Sequence, residues 1–350
     1  MERHLISNTS TIYDALERMN QLSGSERTLL VVNAERRMVG TLTDGDIRRG
    51  LLRRVGLDAP VTEVMHRNFR CLRGQQPDLF LMKDARRKGI TLLPHLDDEG
   101  RVTRLYDLTV CKSVLPLTAI LMAGGRGERL RPLTLSTPKP LLKIGDKAII
   151  DYNVEALARV GITDISVTVN YLAEQIEAHF ADHSDGMNIR CVREPRHLGT
   201  IGSARLCDLD DNGTSLIMNS DILTTISYEE MYLKHVATDA DMTVATVPYI
   251  VSVPFGVLET EGDAIRSVKE KPTFTYYSNA GIYIVKNKLL KSIPEDEPFD
   301  ATDLIEQAIN EGRQVVYYPI DGTWIDIGSP DDFRKAQQLM RHFNDINRNY

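Results

Sequence analysis

Apolar positions along the chain recur with two periods, and the order in which those periods alternate predicts the architecture. Between Ser10 and Met19, residues Ile12, Leu16 and Met19 fall on one helical face behind a Ser/Thr start signal. Apolar runs at Leu29–Val32 and Met38–Leu42, separated by a charged turn at Ala34–Arg36, read as two strands. Thr43-Asp44-Gly45-Asp46 then caps a helix over Ile47–Arg54. A weaker copy follows: a helix over Pro77–Lys88, a strand over Thr91–Leu96, a turn over Asp97–Gly100 and a strand over Arg101–Tyr106. Helix, strand, turn and strand occurring twice predict an internal duplication that fills residues 1–114.

After a short boundary at Cys111–Pro116 the pattern restarts. Thr118–Ala123 is an apolar run of buried-strand length, Asp151–Val160 an amphipathic helix and Asp164–Asn170 a strand. Leu172–Phe180 continues as helix, Met187–Val192 as strand, and Leu216–Ser220 as an apolar strand ending at Asp221. Alternation of this kind over residues 117–350 predicts an α/β fold, a doubly wound, mainly parallel sheet with helices on both faces. Ligands in such sheets bind beyond the carboxyl ends of the strands, which directs attention to the residues after each strand.

Composition narrows the class. At 350 residues with 42% hydrophobic content, two packed domains are expected. The formal charge of −7 disfavours a nucleic-acid binder. The four cysteines lack C-x-x-C spacing, so neither zinc nor a disulfide framework is expected. The N-terminal stretch lacks a signal-peptide apolar core, and no run reaches membrane-spanning length. A cytoplasmic protein with no membrane partner is the expectation.

The candidate chemistry centres on Leu117–Leu142, LTAILMAGGRGERLRPLTLSTPKPLL. Gly124, Gly125 and Gly127 let backbone N–H groups turn toward a ligand, and Arg126, Arg129 and Arg131 supply donors that suit phosphate oxygens. Lys139 sits between Pro138 and Pro140, in a segment expected to be too stiff for a helix. The spacing is neither G-x-x-x-x-G-K-[ST] nor G-x-G-x-x-G. Gly-rich turns alone also occur as plain surface loops; the TPKP segment that follows shifts the reading toward phosphate binding.

GGRGERLRPLT with TPKPLL resembles the sugar-1-phosphate nucleotidyltransferases, and later segments add to that resemblance across residues 117–340. It implies a Rossmann-like, GT-A-like nucleotidyltransferase fold and the transfer of NMP from a nucleoside triphosphate to a sugar-1-phosphate. Leu121, Ala123, Gly124, Gly125 and Gly127 would bind the nucleotide, with Arg129 and Lys139 as catalytic cations. Taken alone, EPRHLGTIGSA reads as an ordinary capped loop; the resemblance implies more, matching it to the segment that lies against the base and giving Gly199 and Thr200. NSD and WIDIGSP imply Mg²⁺ held by Asp221 and Asp326; Asp221 can also be read as a helix cap. EKP and NAGIY imply sugar-phosphate binding by Glu270, Lys271 and Asn279, where EKP alone is an ordinary charged turn. The whole set looks most like guanylyltransferases acting on mannose-like or glucosamine-1-phosphates, making GTP the expected nucleotide. UTP, dTTP and CTP enzymes share the same phosphate elements, and a non-catalytic nucleotide sensor on the same fold is the rival class.

The N-terminal duplication resembles a tandem CBS pair, carried mainly by GTLTDGDIRRGLLRR. The resemblance implies an AMP or ATP site at Thr43 and Asp46, residues that serve equally well as a helix cap, and assembly into a homo-oligomer. Arg104-Leu105-Tyr106-Asp107 departs from the motif in the second copy.

Overall fold

The computed structural model describes residues 2–22, 27–74, 78–111, 113–181 and 187–348, the last eight of them by backbone alone. The chain divides into two compact units, Met1–Leu115 with Arg159–Gly161, and Pro116–Ala158 with Ile162–Tyr350.

In the first unit, β1 (Leu5–Ser7), α1 (Ile12–Asn20), β2 (Thr28–Val32), β3 (Met38–Thr43) and α2 (Asp44–Leu52) follow one another. Their sheet runs β1-β2-β3, with β1 parallel and β3 antiparallel to β2. Thr11 and Asp14 start α1 with reciprocal side chain to backbone bonds, and Ile12, Ala15 and Met19 bury its apolar face against Leu29, Val31 and Leu42. The second half contains α3 (Leu79–Arg87) and the hairpin of β4 (Leu92–Leu96) and β5 (Val102–Asp107), while the expected start at Pro77 lies outside the described residues. Leu72 bridges His95 in parallel, as β1 does β2. Among the described residues no helix lies between β5 and the strand that starts at Thr118; Asp107 instead accepts bonds from the Thr109 N–H and hydroxyl, closing a local turn.

The second unit begins with β6 (Thr118–Met122), the small hairpin β7 (Lys143–Ile144) and β8 (Lys147–Ala148), and α4 (Ile149–Arg159). It continues through β9 (Asp164–Val169), α5 (Ala173–Phe180), β10 (Asn188–Arg193), β11 (Thr214–Asn219), β12 (Ile222–Thr224) and α6 (Tyr228–Ala237). The long strand β13 (Met242–Ser252), the hairpin β14 (Val257–Glu261) and β15 (Ala264–Lys269), and the long β16 (Thr273–Lys286) come next. The chain closes with α7 (Asn287–Leu290), α8 (Ala301–Asn310), β17 (Val315–Pro319), β18 (Trp324–Asp326) and α9 (Pro330–Arg348).

Seven strands form the central sheet in the order β10-β9-β6-β11-β16-β13-β17. Only β16 opposes its neighbours, so the sheet is mainly parallel. Side-chain alternation sends Ile217, Met242 and Val244 into one core layer with Ala301, Leu304 and Ala308 of α8. Met218 and Thr243 point the other way, where they meet Tyr228 and His235 of α6. Helices therefore cover both faces.

Candidate functional site

The chain leaves β6 through Ala123-Gly124-Gly125 at the carboxyl end of the sheet. Residues 122–129, Lys139, Glu194, Gly199, Thr200 and Asn219–Asp221 line one open cleft of about 420 Å³ there, Arg126 excepted. Gly124 leaves room for the Glu194 carboxylate: a Cβ there would stand 2.4 Å from Glu194 Oε1, so a side chain at this position would make the carboxylate move. Beyond the glycines the chain makes 3-10 turns at Glu128–Leu130 and Leu133–Leu135, not the helix of a dinucleotide fold. Lys139 corrects the sequence expectation. The segment does turn, as a single 3-10 turn over Lys139–Leu141, because Pro140 sits in the first turn where its missing N–H is not needed. Burial of that turn holds Lys139 at 8% exposure.

Two acidic residues 105 positions apart converge on this lysine. Asp221 follows β11, and β12 pairs antiparallel with β18, placing Ile222 opposite Asp326. The Ile327 N–H donates to the Asp221 carbonyl at 3.1 Å. Lys139 donates to Asp221 Oδ2 and stands 3.8 Å from Asp326 Oδ1. A Cβ at Gly328 would stand 3.0 Å from the Arg129 guanidinium, which brings the loop cation to the same corner. Burial pushes the Asp326 carboxyl above its ordinary pKa, the Asp221 charge adds to this, and Lys139 and Arg129 oppose it.

The donor set fits a hard divalent cation. Asp221 Oδ1 is buried with no hydrogen-bond partner, which is costly for a carboxylate unless a cation or donor arrives. Among the described residues no cluster of three or more His, Cys, Asp or Glu side chains forms a complete cage. Two carboxylates that leave other positions to water and phosphate oxygens match Mg²⁺ better than calcium or zinc.

Gly199 and Thr200 line the cleft, yet the bonds of Thr200 are spent elsewhere. Gly199 has φ +79°, and a Cβ on it would meet the Phe299 carbonyl at 2.5 Å. The Ile201 and Gly202 N–H groups donate to that carbonyl, and the Phe299 N–H donates to Leu198. The Thr200 N–H donates to Asp300 Oδ1 at 2.8 Å, and its hydroxyl accepts from the Ala301 N–H at 2.9 Å. This segment is thus clamped to the start of α8 by Phe299 and Asp300, two residues that sequence reasoning passed over. Glu194 was passed over as well. It follows β10 as Asp221 follows β11, is 8% exposed, and accepts the Leu198 N–H at 3.4 Å. Burial raises its pKa above the usual carboxylate value, and the Leu198 N–H partly offsets that.

Some expected residues lie elsewhere. Leu121 is fully buried inside β6, its backbone in the ladders to β9 and β11, so its side chain does not reach the cleft; its neighbour Met122 does. Glu270 and Lys271 are exposed in the turn between β15 and β16, with Lys271 at φ +44°, uncommon for a residue with a Cβ. Asn279 is also exposed, and its side-chain Oδ1 accepts the Gly281 N–H at 2.9 Å. None of these three lines the cleft. Thr43 and Asp46 form a complete capping box at α2. Among the described residues no helix is long and apolar enough to cross a membrane.

Residues 118–342 match the family model described as nucleotidyl transferase. The mannose-1-phosphate guanyltransferase of Neurospora crassa is 32% identical over 227 residues, which cover 62% of this chain and 62% of that protein. The D-glycero-alpha-D-manno-heptose 1-phosphate guanylyltransferase of Aneurinibacillus thermoaerophilus is 30% identical over 235 residues, 65% of this chain and 100% of that protein. A Bacillus anthracis protein solved with sucrose, provisionally named a glucose-1-phosphate thymidylyltransferase, shares the fold with a TM-score of 0.53 at 24% identity, over 64% of this chain and 95% of its own. The family match spans well over half of the chain, and the chain belongs to the nucleotidyl transferase family.

Proposed function

We propose that this chain is a sugar-1-phosphate guanylyltransferase, joining GMP from GTP to a hexose- or hexosamine-1-phosphate with release of pyrophosphate. The observation that carries the reading is the meeting of a glycine-rich loop, Arg129, Lys139 and Asp221 in one cleft at the carboxyl end of the sheet, with Asp326 3.8 Å from the Lys139 ammonium. In this reaction a sugar phosphate oxygen attacks the α-phosphorus in line, and the pyrophosphate oxygen departs. The attacking monoester is already largely dianionic at neutral pH, its second pKa being about 6, so no general base is needed. The obstacle is the mutual repulsion of anions, which positioning and fixed cations relieve. Lys139 and Arg129 would hold charge gathering on the α-phosphate and the leaving group. The loop glycines would present N–H groups to the phosphates; Glu270, Lys271 and Asn279, implied for the sugar phosphate by the family resemblance, lie outside the lining of this cleft. Asp221 and Asp326 would hold Mg²⁺, whose chemistry when bound is to neutralise and orient phosphate oxygens.

Glu194 supports guanine. A carboxylate accepts two adjacent donors, and guanine's N1–H and N2–H₂ edge offers them side by side, whereas uracil, thymine and cytosine do not. The named activities of the two guanylyltransferase relatives point the same way. A panel of GTP, UTP, dTTP, CTP and ATP against mannose-, glucose- and glucosamine-1-phosphates, read as pyrophosphate release, tests the assignment. GTP is expected to lead, and Glu194→Gln to lower its kcat/KM by about 10- to 100-fold, the worth of one charged hydrogen bond. Silence across the panel would leave a nucleotide-sensing protein on a transferase fold. For the first unit we propose a tandem CBS module with an adenine-nucleotide site at Thr43 and Asp46; titration calorimetry of the full chain with AMP or ATP, showing no heat, would remove it.

A further inference from the structure

Lys139 is more than nine-tenths buried, and its ammonium is paired with the carboxylates of Asp221 and Asp326. A buried ammonium does not leave its counter-charge unless another anion replaces it, because an unpaired buried charge is expensive. Asp221 is held on one oxygen by this ammonium while its other oxygen is buried and without a partner. A divalent cation arriving alone therefore meets a site whose charge is already partly neutralised by a side chain that has nowhere else to go. A triphosphate changes that, since the cleft that would take it is lined by Lys139 as well as by Gly124, Gly125, Gly127 and Arg129.

We infer that Lys139 is a tethered occupant of the divalent-cation site, holding Asp221 until phosphate oxygens take over its ammonium, so that metal binds weakly to the free protein and tightly after the nucleotide. The inference rests on the carboxylate cation site of the proposed function and adds an order of binding to it. Nucleotide and metal then raise each other's affinity by the same factor, as linkage requires.

The test is a titration of the full chain with Mn²⁺ in the absence of nucleotide, with unbound metal followed by electron paramagnetic resonance. Fluorescence of Trp324, the single tryptophan and two positions from Asp326, gives a second readout. Lys139→Met is expected to bind Mn²⁺ at least about tenfold more tightly than the unaltered chain, within the usual range of site-to-site coupling. Lys139→Arg, which keeps the charge, should stay near the starting affinity, and adding Asp221→Asn to Lys139→Met should erase the gain. Lys139→Gln replaces the methionine variant if that one does not fold. Equal or weaker binding by Lys139→Met, with Asp221→Asn alone still weakening Mn²⁺ binding, overturns the inference and leaves the cation site standing. Indifference of Mn²⁺ to both substitutions removes the cation site and the inference together.

Discussion

Two acidic positions, one in each unit, show how differently a carboxylate can be used. Asp46 is saturated by its surroundings: Oδ2 accepts the Thr43 N–H at 2.9 Å and its hydroxyl at 2.6 Å, and Oδ1 pairs with Arg49 at 2.6 Å. All of these partners lie within three residues, so the group is complete as soon as one helical turn forms. Asp221 is the reverse. It meets Lys139 across 82 residues, comes beside Asp326 only through the pairing of β12 with β18, and keeps one buried oxygen empty. A locally satisfied acid stabilises an element, whereas a long-range, half-satisfied one in an open cleft is arranged for something that arrives later.

The largest effect expected from this contrast is on turnover. Asp221→Asn should lower the rate of pyrophosphate release about a thousandfold or more, comparable to losing a principal charge-stabilising group. The variant should still fold, since Lys139 keeps Asp326 at 3.8 Å and the amide oxygen can still accept from its ammonium, but loss of the Asp221 charge beside a buried ammonium should lower the melting temperature. Near-normal turnover in this variant would make the empty oxygen structural and break the contrast outright.

An intermediate effect tests whether an orphaned buried atom must mean a binding site. His235 Nε2 is also buried without a partner, but it lies between α6 and β13, with Nδ1 on the Thr243 hydroxyl at 2.9 Å. Burial lowers its pKa to about 4, the Lys286 charge adds to this, and Asp241 and Asp239 oppose it. A depressed histidine pKa means the folded chain binds this proton less readily than the unfolded one. The stability is therefore intact above about pH 6.5 and declines as the pH falls toward about 4, by up to about 3 kcal/mol at the lower end. Melting curves from pH 7 to 4.5 should fall more steeply for the native chain than for His235→Gln. Parallel curves would mean that His235 is not held neutral, and the orphan would need another explanation.

What could be read in advance follows the same division between local and distant. The capping box at Thr43 and the strand-and-helix alternation were visible because their signals lie within a few residues. The short strands β12 and β18 carry too few residues for any period to register, although their pairing is what brings the acids together. Resemblance, and not spacing, suggested Asp326. Glu194 had a signal that was not used, its place directly after a strand, the same criterion that drew attention to Asp221. Phe299 and Asp300 had none, since a clamp about 100 residues from Gly199 and Thr200 leaves no trace in local pattern. Leu121 shows the opposite error: belonging to the right strand says nothing about which face a side chain takes until the register is fixed.

The smallest effect decides whether the Thr43–Asp46 pair is only a cap. Thr43→Ala removes the hydroxyl that accepts the Asp46 N–H and donates to its carboxylate, leaving the Thr43 N–H to Asp46 bond in place. Losing a threonine cap costs about 1 kcal/mol, which should appear as faster hydrogen exchange in the first turns of α2, whether or not AMP is present. Local exchange is the right measurement here because a chain of two units need not unfold in a single step. If exchange is unchanged while AMP binding disappears, Asp46 has been misread as locally complete, and the adenine-nucleotide site proposed there is the true use of the pair. If exchange rises by the expected amount and AMP binding was never present, the cap accounts for both residues, and the half-satisfied acid at Asp221 is the one of the two that awaits a ligand.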